Sequence, residues 1–185
     1  ARSSLGFDFH DYYLVKNKKE FEKKWKIVNN PIVQEYIKNK NNEEYTVGVF
    51  LNENSKVLGA ISMLRQLRFG LTSHAIVDDF PDITDVAIRA AESVGAVGPC
   101  NVQLRRNSKE EPCVIEINAR ISSTTAFRAH FGFNEVQACI NYFLDNKKPN
   151  LSYKKGVAMK SWGEVYTSIA NYQNLKRKGF FSSKK

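Results

Sequence analysis

Between Tyr45 and Leu51, the apolar residues Tyr45, Val47, Val49 and Leu51 alternate with Thr46, Gly48 and Phe50. That two-residue period predicts a half-buried strand. Asn52-Glu53-Asn54-Ser55 has turn chemistry, and Val57 to Leu67 reads as the antiparallel partner. Pro81-Asp82 opens a helix whose stripe runs Ile83, Val86, Ala87, Ala90, Ala91 and Val94, ending at Gly95 and Gly98. Asn134, with Gln137 three residues on, caps another helix that turns Val136, Ile140, Phe143 and Leu144 inward. Near the start, Asn17 and Glu20 form a capping box before a helix with Phe21, Trp25 and Val28 on its apolar side. Pro149-Asn150 marks a boundary, and Gly156 to Ala170 reads as one more strand and turn. The basic tail carrying Lys176-Arg177-Lys178 and Lys184-Lys185 has no core pattern and is expected to be a partly disordered extension. Strands and helices alternate without internal repeats, which predicts an α+β fold.

One apolar segment carries the wrong kind of side chain for a core. Residues 113–120 read Cys-Val-Ile-Glu-Ile-Asn-Ala-Arg. Strict alternation sends Cys113, Ile115 and Ile117 to one face of a strand, and Val114, Glu116 and Asn118 to the other, with Arg120 following. Glu116 and Asn118 are then roughly 6–7 Å apart on one face, a span that oxygen-seeking cations bridge. Gln103, between Val102 and Leu104, can present its amide to the same side from a neighbouring strand. A carboxylate, two amide oxygens and a guanidinium suit Mg²⁺ and phosphate together. The plainer alternative is a strand with a polar outer face.

Composition adjusts this picture little. The 185 residues are 42% hydrophobic and 25% charged, ordinary for a globular domain. No apolar run reaches the roughly 18 residues of a membrane span, and no secretory signal opens the chain. Cys100, Cys113 and Cys139 are far apart and read as buried reduced thiols, which suits a cytoplasmic protein. The net charge of +9 admits nucleic-acid binding. Much of it, however, sits at Lys16, Lys18, Lys19, Lys23, Lys24 and Lys26, on what reads as the solvated side of the first helix. A basic nucleic-acid-binding domain is therefore the weaker alternative, and the charge suits attraction of a polyanionic nucleotide better.

Gln103 followed by Glu116-Ile117-Asn118-Ala119-Arg120 resembles the metal and triphosphate signature of the ATP-grasp superfamily. The resemblance is closest to carbamoyl-phosphate synthase large subunits and their stand-alone relatives. Ala119 replaces a proline common there, and Ile121-Ser122-Ser123-Thr124-Thr125 replaces a glycine-containing loop. Pro31-Ile32-Val33-Gln34-Glu35-Tyr36-Ile37, with Glu44-Tyr45-Thr46-Val47, resembles the hinge between the two nucleotide-clamping lobes. The resemblance implies adenine contacts from Glu35, Tyr36 and Ile37 and ribose contacts from Glu44. Arg65 and Arg68, ahead of Gly70-Leu71-Thr72, resemble the arginine that orients acceptor and phosphate, whereas His74 reads as structural. Residues 1–7 resemble the loop that closes over the phosphates.

The resemblance covers roughly residues 2–145 and implies the C-terminal part of the ATP-grasp fold, a largely antiparallel sheet with packed helices, its N-terminal region lying outside the chain. Residues 1–36 would be the remainder of the small lobe with the phosphate loop, 37–150 the lobe bearing hinge and metal site, and 151–185 an extension. The implied activity is a ligase using ATP and Mg²⁺, with Mn²⁺ as an alternative. Glu116 would bridge two cations that Gln103 and Asn118 each help to hold, and Arg120, with Arg65, would act on the transferring phosphoryl group. The implied partners are a small-molecule carboxylate and an amine or ammonia, with a homo-oligomer left open. As a fragment, the chain alone is expected to be nearly inactive. A nucleotide-binding regulatory module without turnover is the competing reading.

Overall fold

The computed structural model describes residues 2–3, 13–38, 43–68, 71–160 and 164–178, arranged in two compact units, residues 1–38 and 39–185. In the first unit, β1 (Arg2–Ser3) pairs antiparallel with β2 (Pro31–Ile32). Helix α1 (Lys18–Trp25) starts at the expected capping box: Glu20 N–H donates to Asn17 Oδ1 at 2.9 Å, and Glu20 Oε2 accepts from Lys16 N–H at 2.9 Å. Residues 4–12, most of the expected phosphate loop, are outside the described residues.

The second unit is built on one seven-stranded sheet. Its strands are β3 (Glu43–Leu51), β4 (Val57–Arg68), β5 (Leu71–Val77), β6 (Gly98–Arg106), β7 (Pro112–Asn118), β8 (Gly156–Lys160) and β9 (Glu164–Thr167). They lie in the order β7-β6-β3-β4-β5-β8-β9, and every neighbouring pair is antiparallel. Short turns set the registers. Between β6 and β7, Asn107 Oδ1 accepts from the N–H groups of Lys109 and Glu111 at 2.9 and 3.0 Å, closing a tight hairpin.

Helix α2 (Pro81–Ser93) covers one face. Its Ile83, Ala87 and Ala91 meet Tyr45, Val47, Val49, Leu51, Cys100, Val102 and Leu104. Helices α3 (Thr125–His130) and α4 (Glu135–Cys139), the latter continuing as a π turn through Ile140–Leu144, lie against the other face. There Phe50, Ile61, Met63, Ala75 and Val77 pack with Phe127, Phe131, Phe133 and Ala138. Helices on both sides explain why β3 is buried on both faces from Glu44 to Leu51 and not half-buried as its alternation predicts.

Three further expectations are corrected. Asn134 caps α4, its Oδ1 accepting from Gln137 N–H. Yet Val136, Ile140, Phe143 and Leu144 are 46%, 40%, 40% and 75% exposed, while Glu135 and Ala138 are buried. The helix is rotated because Glu135 has a buried cationic partner, and an unpaired buried carboxylate costs more than an exposed leucine. The segment after Pro149 supplies two strands and not one, β8 beside β5 and β9 at the sheet edge. The basic tail is helical as far as Lys178, where α5 (Ile169–Lys178) half-buries Ile169, Tyr172 and Leu175 at three-residue spacing; residues 179–185, with Lys184-Lys185, lie outside the described residues. No helix among the described residues is long and apolar enough to cross a membrane.

His74 on β5 packs its ring 5.1 Å from that of Tyr172, with Nε2 buried and without a hydrogen-bond partner. Burial, and then the charge of Lys176, push its pKa below the ordinary value. The unfolded chain therefore takes up this proton first, and stability should fall as pH drops below about 6.5 toward the lower folded value. Thermal midpoints at pH 7.5 and 5.5 should differ less in His74→Phe than in the wild type. An equal acid loss in both would assign the effect to other groups.

Candidate functional site

The antiparallel register lines up polar residues on the face that α3 and α4 partly cover. Thr46 on β3 opposes Gln103 on β6, which opposes Glu116 on β7. One rung along, Gly48 opposes Asn101, which opposes Asn118. The hairpin thus brings Gln103 beside Glu116, with Asn118 two residues further along the same strand. The alternation expected of β7 breaks earlier. A bulge at Ile115, where the register shifts between Gln103 and Leu104, lets both Val114 and Ile117 pack against the α2 core. Val114 thus leaves the polar face, and Glu116 and Asn118 stay on it.

Arg120 follows immediately. Its Nη2 donates to Asn118 Oδ1 at 3.3 Å and its Nη1 to the carbonyl of Ile121 at 3.2 Å, on an exposed side chain. The donor set of one carboxylate and two amides is oxygen-only. Among the described residues, no group of three or more His, Cys, Asp or Glu could hold a metal. Oxygen donors suit a hard cation such as Mg²⁺. Asn118 also has its Nδ2 buried without a partner. Turned oxygen-inward, that amide end could face a cation beside Glu116, so the residues present fit one.

Glu44 and Arg65, expected in different roles, are joined in the structure. Glu44 is 2% exposed; Arg65 Nη2 donates to its Oε1, while Arg105 Nε and Nη2 donate to its Oε2 at 3.2 and 2.9 Å. Arg65 Nη1 also donates to Thr72 Oγ1 at 3.1 Å. Arg68 is exposed at the end of β4, and residues 69–70 are outside the described residues. In the first unit, Glu35 and Tyr36 are exposed and Ile37 half-buried, in a segment without helix or strand; residues 39–42 are outside the described residues.

Sequence reasoning missed Arg105, Asn101, Arg128 and Glu135. Arg128 and Glu135 are completely buried and paired, with Nη1 donating to Oε1 at 2.8 Å. Burial pulls the Arg128 guanidinium below its usual pKa and Glu135 opposes that pull. Arg128 also donates to Asn101 Oδ1 and to Thr46 Oγ1. Gly48 makes the room: a Cβ there would stand 2.6 Å from Arg128 Nη1. One signal was available, since Asn101 precedes Gln103 by two residues in a strand and so shares its face.

Comparison with known proteins follows the same outline. The family model described as ATP-grasp in the biosynthetic pathway with Ter operon matches residues 28–165. No curated protein matches. N5-carboxyaminoimidazole synthetase from Staphylococcus aureus complexed with ADP superposes with a TM-score of 0.59 at 16% identity, covering 78% of this chain and 42% of that one. The phosphoribosylaminoimidazole carboxylase ATPase subunit from Aquifex aeolicus gives 0.52 at 14% identity, over 66% of this chain and 42% of that one. The Aspergillus clavatus synthase in complex with ADP and 5-aminoimidazole ribonucleotide gives 0.51 at 13% identity, over 64% and 34%. The chain spans less than half the length of each of these proteins.

Proposed function

Because the chain belongs to the ATP-grasp family, we propose that it is the nucleotide- and metal-binding part of an ATP- and Mg²⁺-dependent carboxylate–amine ligase, of the carbamoyl-phosphate-synthase-like kind. The observation that carries this reading is the register that sets Gln103 against Glu116, with Asn118 and Arg120 beside them. The ADP complexes among the structural relatives support a nucleotide at such a site. In this reading Glu116, Gln103 and Asn118 would hold Mg²⁺ through oxygen donors. When bound, the cations neutralise phosphate charge.

The chain's own residues do the rest. Arg120 is exposed and planar, so its fork can leave Asn118 and take two oxygens of the transferring phosphoryl group. Phosphoryl transfer spreads negative charge over oxygens, and catalysis here is positioning and electrostatic stabilisation without a covalent protein intermediate. The γ-phosphoryl passes to a small-molecule carboxylate, and an amine or ammonia attacks the acyl phosphate with loss of phosphate. Glu35, Tyr36 and Ile37 serve the adenine. Glu44 would serve the ribose through a carboxylate that Arg65 and Arg105 also hold, and Arg65 would then keep that carboxylate in position.

Glu116→Gln is the direct test. The amide fills the same volume but cannot balance cations, so Mg²⁺-dependent ATP affinity should fall by about tenfold or more with the circular-dichroism spectrum unchanged. Calorimetric titration of Mg·ATP into both proteins measures it. Equal, metal-dependent affinity would remove Glu116 from the site.

A further inference from the structure

Arg128 is the largest of the fully buried side chains among the described residues, and it touches three separate elements. Its Nη1 donates to Glu135 on α4, and its Nη2 to Thr46 on β3 and Asn101 on β6. Thr46 is the strand partner of Gln103, and Asn101 that of Asn118. The second oxygen of Glu135 accepts from the hydroxyl of Thr125, the first residue of α3. Residues 121–124 join that helix to Arg120, and within them Ser122 Oγ and Thr124 Oγ1 are 2.6 Å apart. One guanidinium thus links the strands behind Gln103 and Asn118 to the loop that leads from Arg120.

We propose that Arg128 is a positioning residue, which fixes the 119–125 segment against β3 and β6 so that Asn118 and Arg120 keep their places beside Gln103 and Glu116. This rests on the reading of the site given above. Stability alone is a poor reason for the arrangement. Desolvating both charges is costly, and apolar side chains of similar size are often as stabilising or more so. Arg128 Nε is buried without a partner, and the pair requires glycine at position 48. What an apolar residue cannot supply is direction. A planar donor fork specifies where Thr46, Asn101 and Glu135 stand relative to one another.

The test is Arg128→Met combined with Glu135→Leu in the full chain, read by native-state amide exchange and by titration with ADP, with and without Mg²⁺. The pair is replaced by apolar volume, so the thermal midpoint should be kept or raised. Exchange in residues 119–125 should speed up by about tenfold while α2 is unchanged, and affinity for Mg·ADP should fall about tenfold with metal-free ADP unaffected. Unchanged exchange in 119–125, or exchange faster throughout the sheet unit including α2, would overturn the proposal. Should the double variant not fold, Arg128→Lys decides. It keeps a charge for Glu135 but lacks the fork, so a selective loss at 119–125 supports positioning and a uniform loss refutes it. If the wild-type chain binds no nucleotide with Mg²⁺, the ligase reading fails, and the exchange measurement still decides the role of Arg128.

Discussion

Replacing Glu135 alone with alanine is expected to destabilise the protein by about 3–5 kcal/mol, because it strands a fully buried guanidinium. Arg128 would keep its bonds to Asn101 and Thr46 but lose the carboxylate that balances its charge. Thr125 would lose its acceptor at the start of α3 as well. For a domain of this size, the loss corresponds to a fall of roughly 6–20 °C in thermal midpoint. Urea unfolding of wild type and Glu135→Ala at constant pH measures it. A loss below about 1 kcal/mol, the range of exposed ion pairs, would mean that the pair is solvated in solution. The contrast with the paired apolar substitution is informative, since removing one partner and removing both should move stability by very different amounts.

The parts of this architecture that were legible are those where local chemistry and tertiary packing agree. The strand at Tyr45–Leu51, the α2 stripe as far as Ala91 and the caps at Asn17 and Asn134 each follow from short-range rules, and each element forms, although β3 is buried on both faces. The partnership of Gln103 with Glu116 was legible because both are polar residues in apolar strands joined by a short connection, so an antiparallel hairpin had few registers to choose from. The bulge at Ile115 was not, because Val114 and Ile115 are interchangeable as strand formers and only packing against α2 decides which faces inward. The face of α4 was misread for a related reason. Counting apolar residues favours Val136, Ile140, Phe143 and Leu144, but the helix answers to Arg128, seven residues upstream of Glu135 and beyond the turn after α3. No periodicity connects that pair. Tail helix α5 was hidden because three half-buried residues among lysines and asparagines make a faint stripe.

Glu44→Ala should be nearly as severe, at about 3 kcal/mol, through a different geometry. Arg65 is 7% exposed and its guanidinium meets the Glu44 carboxylate from β4, while Arg105, more open to solvent, closes on the other oxygen from β6. Deleting the carboxylate leaves two cations facing each other across β3. Arg65 suffers more than Arg105, since its Nε is already buried without a partner. The double variant Glu44→Ala with Arg65→Ala should therefore lose less than the sum of the single losses, by about 1 kcal/mol or more, because the second substitution removes the charge that the first one stranded. Urea unfolding of the four proteins gives that coupling directly. Additive losses would show that Arg65 and Glu44 do not depend on each other.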